Sequence, residues 1–210
     1  MTDGTKQMES RAIPTYIDFK SPYAYLAITQ IRGMAIEYEL NMDWRPYNLP
    51  IADYLGAVDT RNEHQWRRVK YSYMDCRRLA NQRGLTILGP QKLYDSTTAS
   101  IGLLFAKQMD CADAYIDQVF KRFFRRQLNI EDPEAIALIL EKCGASGTKF
   151  LDYHTSEGVL AFNTLVSEAH KSGIFGVPSF LLDGELFWGT ERMELMKEKL
   201  RNRHLAEGRA

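Results

Sequence analysis

The chain contains no Cys-x-x-C. Its three cysteines, Cys76, Cys111 and Cys143, are odd in number and far apart. That excludes a redox dithiol and a zinc knuckle of the chain's own. Neither sign of charge is in excess, with 27 Lys and Arg against 27 Asp and Glu. A neutral total supplies no global field to hold nucleic acid or an anionic membrane. No apolar run approaches the roughly 20 residues of a membrane span. Met1 to Ala12 is polar and of mixed charge, without the apolar stretch of a signal peptide. His64, His154, His170 and His204 show no ligand spacing, so no metal site is expected. Free cysteines without a signal point to a reducing cytoplasm. No nucleic-acid partner and no membrane partner are expected.

What is present suffices for a sizeable core: 45% of the 210 residues are hydrophobic and 11% aromatic. Ile13, Thr15, Ile17 and Phe19 alternate with Pro14, Tyr16 and Asp18, a strand pattern. Ser21 reads as an N-cap and Pro22 as the first helical residue. Tyr23, Ala27, Ile31, Met34 and Tyr38 then mark one helix face, and Met42 and Trp44 a second strand. The opening is therefore β–α–β, which favours a parallel pair with a right-handed crossover.

The middle reads as helical. Trp66, Val69, Tyr73, Cys76 and Ala80 step by three and four. Ile101 to Ala106 sits within a second helix, and Ile116, Val119, Phe120 and Phe123 mark a third. Asp132-Pro133-Glu134 opens a fourth, which Gly144 closes. Arg67, Arg68, Lys70, Arg77 and Arg78 interleave with Trp66, Tyr71 and Tyr73 and read as a charged outer face over an aromatic inner one. The α/β pattern then returns. Val159, Phe162, Val166 and Ala169 line a helix that stops at Gly173. Ser179 to Leu182 and Glu185 to Trp188 flank Asp183-Gly184, a two-residue hairpin signal. Thr190 is placed to cap a last helix through Met193, Met196 and Leu200. This order predicts an α/β thioredoxin-like fold with an inserted all-helical subdomain. Residues 12–50 and 156–205 would form the discontinuous thioredoxin-like domain, and 51–155 the insert.

Three segments could carry chemistry. A helix N-terminus offers unpaired N–H groups and a partial positive charge, and both favour a thiolate. At Ser21 the side chain there is a hydroxyl, which cannot form a disulfide but can donate to another molecule's thiolate. Capping alone also accounts for a Ser-Pro helix start. Pro178, between a helix and a hairpin, can hold a cis peptide and turn the backbone of Val177 outward to an extended peptide. An ordinary turn proline is the plainer alternative. Thr190 and Glu191 begin the last helix and could grip the carboxylate and ammonium of a γ-glutamyl group. A capped helix with a first-turn acid explains them equally well.

These segments, Ser21-Pro22-Tyr23-Ala24-Tyr25-Leu26 and Gly173-Ile174-Phe175-Gly176-Val177-Pro178 with Phe187-Trp188-Gly189-Thr190-Glu191-Arg192-Met193, resemble those of a known family. It comprises the 2-hydroxychromene-2-carboxylate isomerases and kappa-class glutathione transferases, a branch of the DsbA-like thioredoxin superfamily. The resemblance covers most of the chain. It implies glutathione as cofactor, a small aromatic or unsaturated electrophile as second substrate, and commonly a homodimer. Ser21 would be the catalytic, thiol-activating hydroxyl. Val177, before a cis Pro178, would pair with the cysteinyl backbone, and Thr190 and Glu191 would hold the γ-glutamyl end. Aligning the family's inserted-helix Asp with Asp75 puts Tyr71 at its tyrosine and Arg68 at its glutathione-binding lysine. The family's Gly-Asn-x-Pro-Pro loop is replaced by Gly56 to Asn62. The alternatives are a DsbA-like protein disulfide oxidoreductase and a non-catalytic glutathione-binding module.

Overall fold

The computed structural model describes residues 12–207, with side chains to 202. The polar residues 1–11 and the His204 side chain lie outside that range. Strand β1 (Ala12–Ile17) leads through helix α1 (Pro22–Glu37) to β2 (Asn41–Pro46), which pairs with β1 in parallel. After the helical stretch, β3 (Ser179–Leu182) pairs with β1 antiparallel and with β4 (Glu185–Trp188) as a hairpin. The four-stranded sheet has the order β2-β1-β3-β4. Asp183 and Gly184 both take positive φ, 54° and 79°. Those are the angles a two-residue turn needs to match strand twist, and Asp-Gly supplies them at little steric cost.

Between β2 and β3 the described chain is helical: α2 (Ile51–Leu55), α3 (Glu63–Gln82), α4 (Thr97–Gln108), α5 (Ala112–Phe123), α6 (Pro133–Lys142), α7 (Gly147–Thr155) and α8 (Glu157–Lys171). The expected thioredoxin-like fold with a helical insertion is present. Asn62 and Gln65 form a reciprocal capping box at α3, and the Asp132 side chain accepts from Glu134 and Ala135 N–H groups at α6. Two helices escape the periodicity reading. α2 has five residues, too few to show a period. α7 follows closely on Gly144, and its start is marked only by the Ser146 cap, whose Oγ accepts from Lys149 N–H.

The joint between sheet and insert is aromatic. Phe19, just past β1, is fully buried against Tyr115 and Phe120 of α5, with ring centroids 5.7 and 5.0 Å away. Tyr25 of α1 stacks on Phe120 and Phe124 at 5.2 and 5.3 Å. Such pairs contribute about 0.5–1.5 kcal/mol each beyond the area they bury. α8 packs against α4 and β2, which carries the insert back to the sheet. The last helix, α9 (Met193–Glu207), is preceded by a short 3-10 turn, Thr190–Arg192. Thr190 therefore opens that turn, with Gly189 at its cap position, rather than preceding α9 directly.

Candidate active site

The sheet register brings the separate segments together. Tyr16 of β1 pairs with Arg45 of β2 and Ser179 of β3, and Ser179 pairs with Trp188 of β4. The row Arg45–Tyr16–Ser179–Trp188 thus crosses the whole sheet at one end. Beyond this row β1 runs on through Ile17 toward Ser21, and Val177–Pro178 leads into β3 at the same end. The turn from Asp18 to Ser21 is closed by the Ser21 N–H donating to Asp18 O at 2.9 Å. Gly189, just past Trp188, donates its N–H to Pro178 O at 2.9 Å. Ser21, Val177–Pro178 and Gly189–Glu191 therefore lie beyond the same end of adjacent strands.

Each segment exposes backbone polarity there. Ser21 caps α1, its Oγ accepting from Ala24 N–H at 3.2 Å. A hydroxyl that accepts still has its proton to donate. Pro22 has no N–H, and the Tyr23 N–H has no protein partner among the described residues. The Val177–Pro178 peptide is cis, and neither the N–H nor the C=O of Val177 is bonded to another described residue. Ser179 Oγ donates to Gly176 O at 2.7 Å and braces this bend from inside. Trp188 lies over Gly176, where an added Cβ would fall 2.6 Å from the indole nitrogen, and its ring meets Phe175 at 4.9 Å. Thr190 is half-buried and Glu191 exposed, its carboxylate folded back over Gly189.

Sequence reasoning missed the charge knot beneath Ser21. Asp18 is fully buried. Its carboxylate accepts from Lys20 N–H at 3.0 Å and Leu49 N–H at 2.7 Å, and meets the Lys20 ammonium at 3.2 Å. The Lys20 ammonium also donates to Asn48 Oδ1 and to Ser96 Oγ at 3.3 Å. Its three protons thus reach the Ser21 turn, the exit of β2 and the entry of α4. No sequence signal links residues 20, 48 and 96; only the fold does.

Lys20 also forms part of the wall of a cavity of about 500 Å³ between α2, α3 and the segment 89–94. Its walls are largely apolar and aromatic, including Leu55, Trp66, Val69, Tyr94 and Phe123. The upper part of the expected α3 stripe lines this cavity, while Cys76 and Ala80 enter the core. Arg61, from the altered loop, folds over the Trp66 ring at 5.0 Å, and its Nε donates to Leu55 O and Gly56 O, both at 2.9 Å. Arg68 stands apart from the other expected residues. It is outside the cavity wall and donates to Tyr54 O at 3.3 Å. The cavity face of α3 steps through residues 66, 69, 70, 73 and 77. That periodicity carries Lys70 and Arg77 to the cavity and turns Arg68 away. Tyr71 is largely exposed, and Asp75 accepts from the Tyr23 hydroxyl at 3.0 Å. The Cys76 thiol beside them is fully buried, and burial pushes its pKa up to about 11.

Comparison with known proteins agrees with this fold. A 2-hydroxychromene-2-carboxylate isomerase of Pseudomonas putida is 25% identical over 187 residues, spanning 88% of this chain and 92% of its own. A solved 2-hydroxychromene-2-carboxylate isomerase superposes with a TM-score of 0.77 at 24% identity, covering 94% of this chain and 98% of that one. The cytosolic disulfide reductase DsbM of Pseudomonas aeruginosa, solved with GSH, has a TM-score of 0.59 at 16% identity, over 95% of this chain and 100% of its own. The family model of the DSBA-like thioredoxin domain matches residues 12–201, so the chain belongs to that family.

Proposed function

We propose that this chain is a glutathione-dependent isomerase of small aromatic or unsaturated electrophiles, with conjugation as a variant of the same chemistry. The observation that carries the reading is that Ser21, the unpaired Val177 backbone and Thr190–Glu191 all lie beyond one end of the sheet, with Lys20, next to Ser21, on the wall of a largely apolar cavity. The residues suit the tripeptide. Val177 offers one N–H and one C=O to the cysteinyl unit, like an added strand. The Thr190 hydroxyl and Glu191 carboxylate suit the γ-glutamyl carboxylate and ammonium. The printed names of the relatives support an isomerase, and the disulfide reductase solved with GSH supports glutathione on this fold.

Bound glutathione would supply a thiolate that adds to an electrophilic double bond, permits rotation about it and leaves unchanged. The chain's own task is to keep that sulfur anionic and the site dry. Ser21 donates its hydroxyl proton toward the sulfur, and the first turn of α1 adds the Tyr23 N–H and the positive end of its dipole. The aromatic walls exclude water, which strengthens those interactions.

A protein dithiol reaction finds no cysteine at the α1 start, which reads Ser21-Pro22-Tyr23-Ala24, and Cys76 is buried. Calorimetric titration with glutathione, followed by an absorbance assay with 2-hydroxychromene-2-carboxylate, tests the proposal. Glutathione-dependent turnover is expected. Turnover equal with and without glutathione would defeat it, as would insulin reduction by a triple Cys76, Cys111 and Cys143 variant.

A further inference from the structure

The cavity has an unbalanced charge. Among its wall residues are five cations, Lys20, Arg61, Lys70, Arg77 and Lys92, and no Asp or Glu. Two of the five are matched elsewhere: Lys20 by Asp18 and Lys92 by Glu131. Arg61, Lys70 and Arg77 have no carboxylate partner among the described residues. A singly charged occupant would leave most of that charge unmet.

Two of these cations flank one hydroxyl. Tyr73 sits on the cavity wall between the Trp66 end and Arg77, and its hydroxyl has no protein partner among the described residues. Arg61 is held rigidly by two backbone carbonyls through Nε and by the Trp66 face, which leaves its terminal nitrogens free. A guanidinium fixed in this way presents a planar pair of donors matched to a carboxylate.

We propose that Arg61, Tyr73 and Arg77 form an anion receptor for an acid group carried on the ring system of the electrophile, remote from the carbon that meets the sulfur at Ser21. The assignment rests on the glutathione reading above and adds the substrate's far end to it. Lys20, the residue before Ser21, borders the same cavity. Burial raises the Tyr73 pKa to about 12, against the opposing pull of Arg61 and Arg77, so the phenol stays a donor at neutral pH. Trp66 gives the receptor an aromatic floor on which a ring can lie.

The test is calorimetric binding of glutathione, S-benzylglutathione and S-(4-carboxybenzyl)glutathione to the wild type and to Arg61→Gln, Arg77→Gln and Tyr73→Phe. The wild type should prefer the carboxylated probe over S-benzylglutathione by about tenfold or more. Each substitution should shrink that preference and leave S-benzylglutathione affinity in place, which also shows that the variant folds. Equal wild-type affinity for the two S-substituted probes would overturn the receptor while leaving the glutathione site intact. Equal weakening of all three ligands would assign the cations to the tripeptide's own glycyl carboxylate, and would overturn it too. Failure of glutathione itself to bind would remove the parent reading, and this one with it.

Discussion

Lys20 and Asp18 form a buried ion pair of 3.2 Å directly beneath Ser21, with Lys20 8% exposed and Asp18 fully buried. Buried charges are tolerated when their remaining hydrogen-bonding capacity is met, and here it is met by Leu49 N–H, Asn48 and Ser96. Removing one partner strands the other. Asp18→Asn is therefore expected to destabilise the fold by about 3–5 kcal/mol in urea titration. Lys20→Met should be similarly harmful singly, whereas the double variant should recover part of the loss. Strict additivity of the two changes would show that the pair is not coupled.

Ser21→Ala removes a cap and, on the proposed function, a donor to sulfur. Loss of the cap should lower stability by about 1 kcal/mol. The pKa of the bound glutathione thiol should rise, read as a weaker thiolate absorbance at 240 nm at fixed pH. An unchanged thiolate titration would take Ser21 out of the chemistry and leave it as a cap only.

Two glycines separate core packing from site packing. At Gly102 an added Cβ would lie 2.2 Å from the Tyr115 hydroxyl and 2.8 Å from Ile136. That hydroxyl is buried and donates to Ala99 O at 2.8 Å. Gly102→Ala should therefore cost about 2–4 kcal/mol, overpacking plus a displaced hydrogen bond. At Gly176 the obstacle is the Trp188 indole, which is half exposed and can move. Gly176→Ala should cost under about 1 kcal/mol. It should shift Trp fluorescence and weaken glutathione binding. Matching stability losses at the two glycines would refute the distinction.

Cys76 offers a pH test. Burial is the main cause that lifts its pKa from 9.0 to about 11, so at pH 8 the native thiol holds about a hundredfold less thiolate than an ordinary one. Iodoacetamide at that pH should leave Cys76 unmodified in the native chain and label it in urea, as read by peptide mass spectrometry. Between pH 9 and 11 the unfolded chain loses this proton while the folded chain keeps it. The Cys76 contribution to stability therefore falls as pH rises through that window. Rapid native labelling of Cys76 would contradict its burial.

What the sequence revealed and what it hid have physical reasons. The β3–β4 hairpin is legible to its ends because Asp183-Gly184 encodes the turn locally. The helix starts at Ser21-Pro22 and Asp132-Pro133 are legible for the same reason. The expected meeting of Ser21 and Val177 rested on fold resemblance; the register across β1 and β3 carries both segments to the same end of the sheet. The Lys20 knot was hidden because its partners arrive from 28 and 76 residues away. Arg68, expected from the resemblance alone, lies off the cavity face of its helix. Lys70 and Arg77 share the face of Tyr73, and Arg68 does not. α2 and the fold of Arg61 over Trp66 depend on a loop without periodicity, and only coordinates reveal them.

The braced guanidinium on the cavity wall belongs to the loop that joins α2 and α3 and to no strand. Substitutions there can accumulate with little penalty to folding, while the strand ends that cradle the peptide stay under constraint. Divergence within this lineage should therefore be read first in residues 56–62: a change of diet would be written in that short connection long before it reached the sheet.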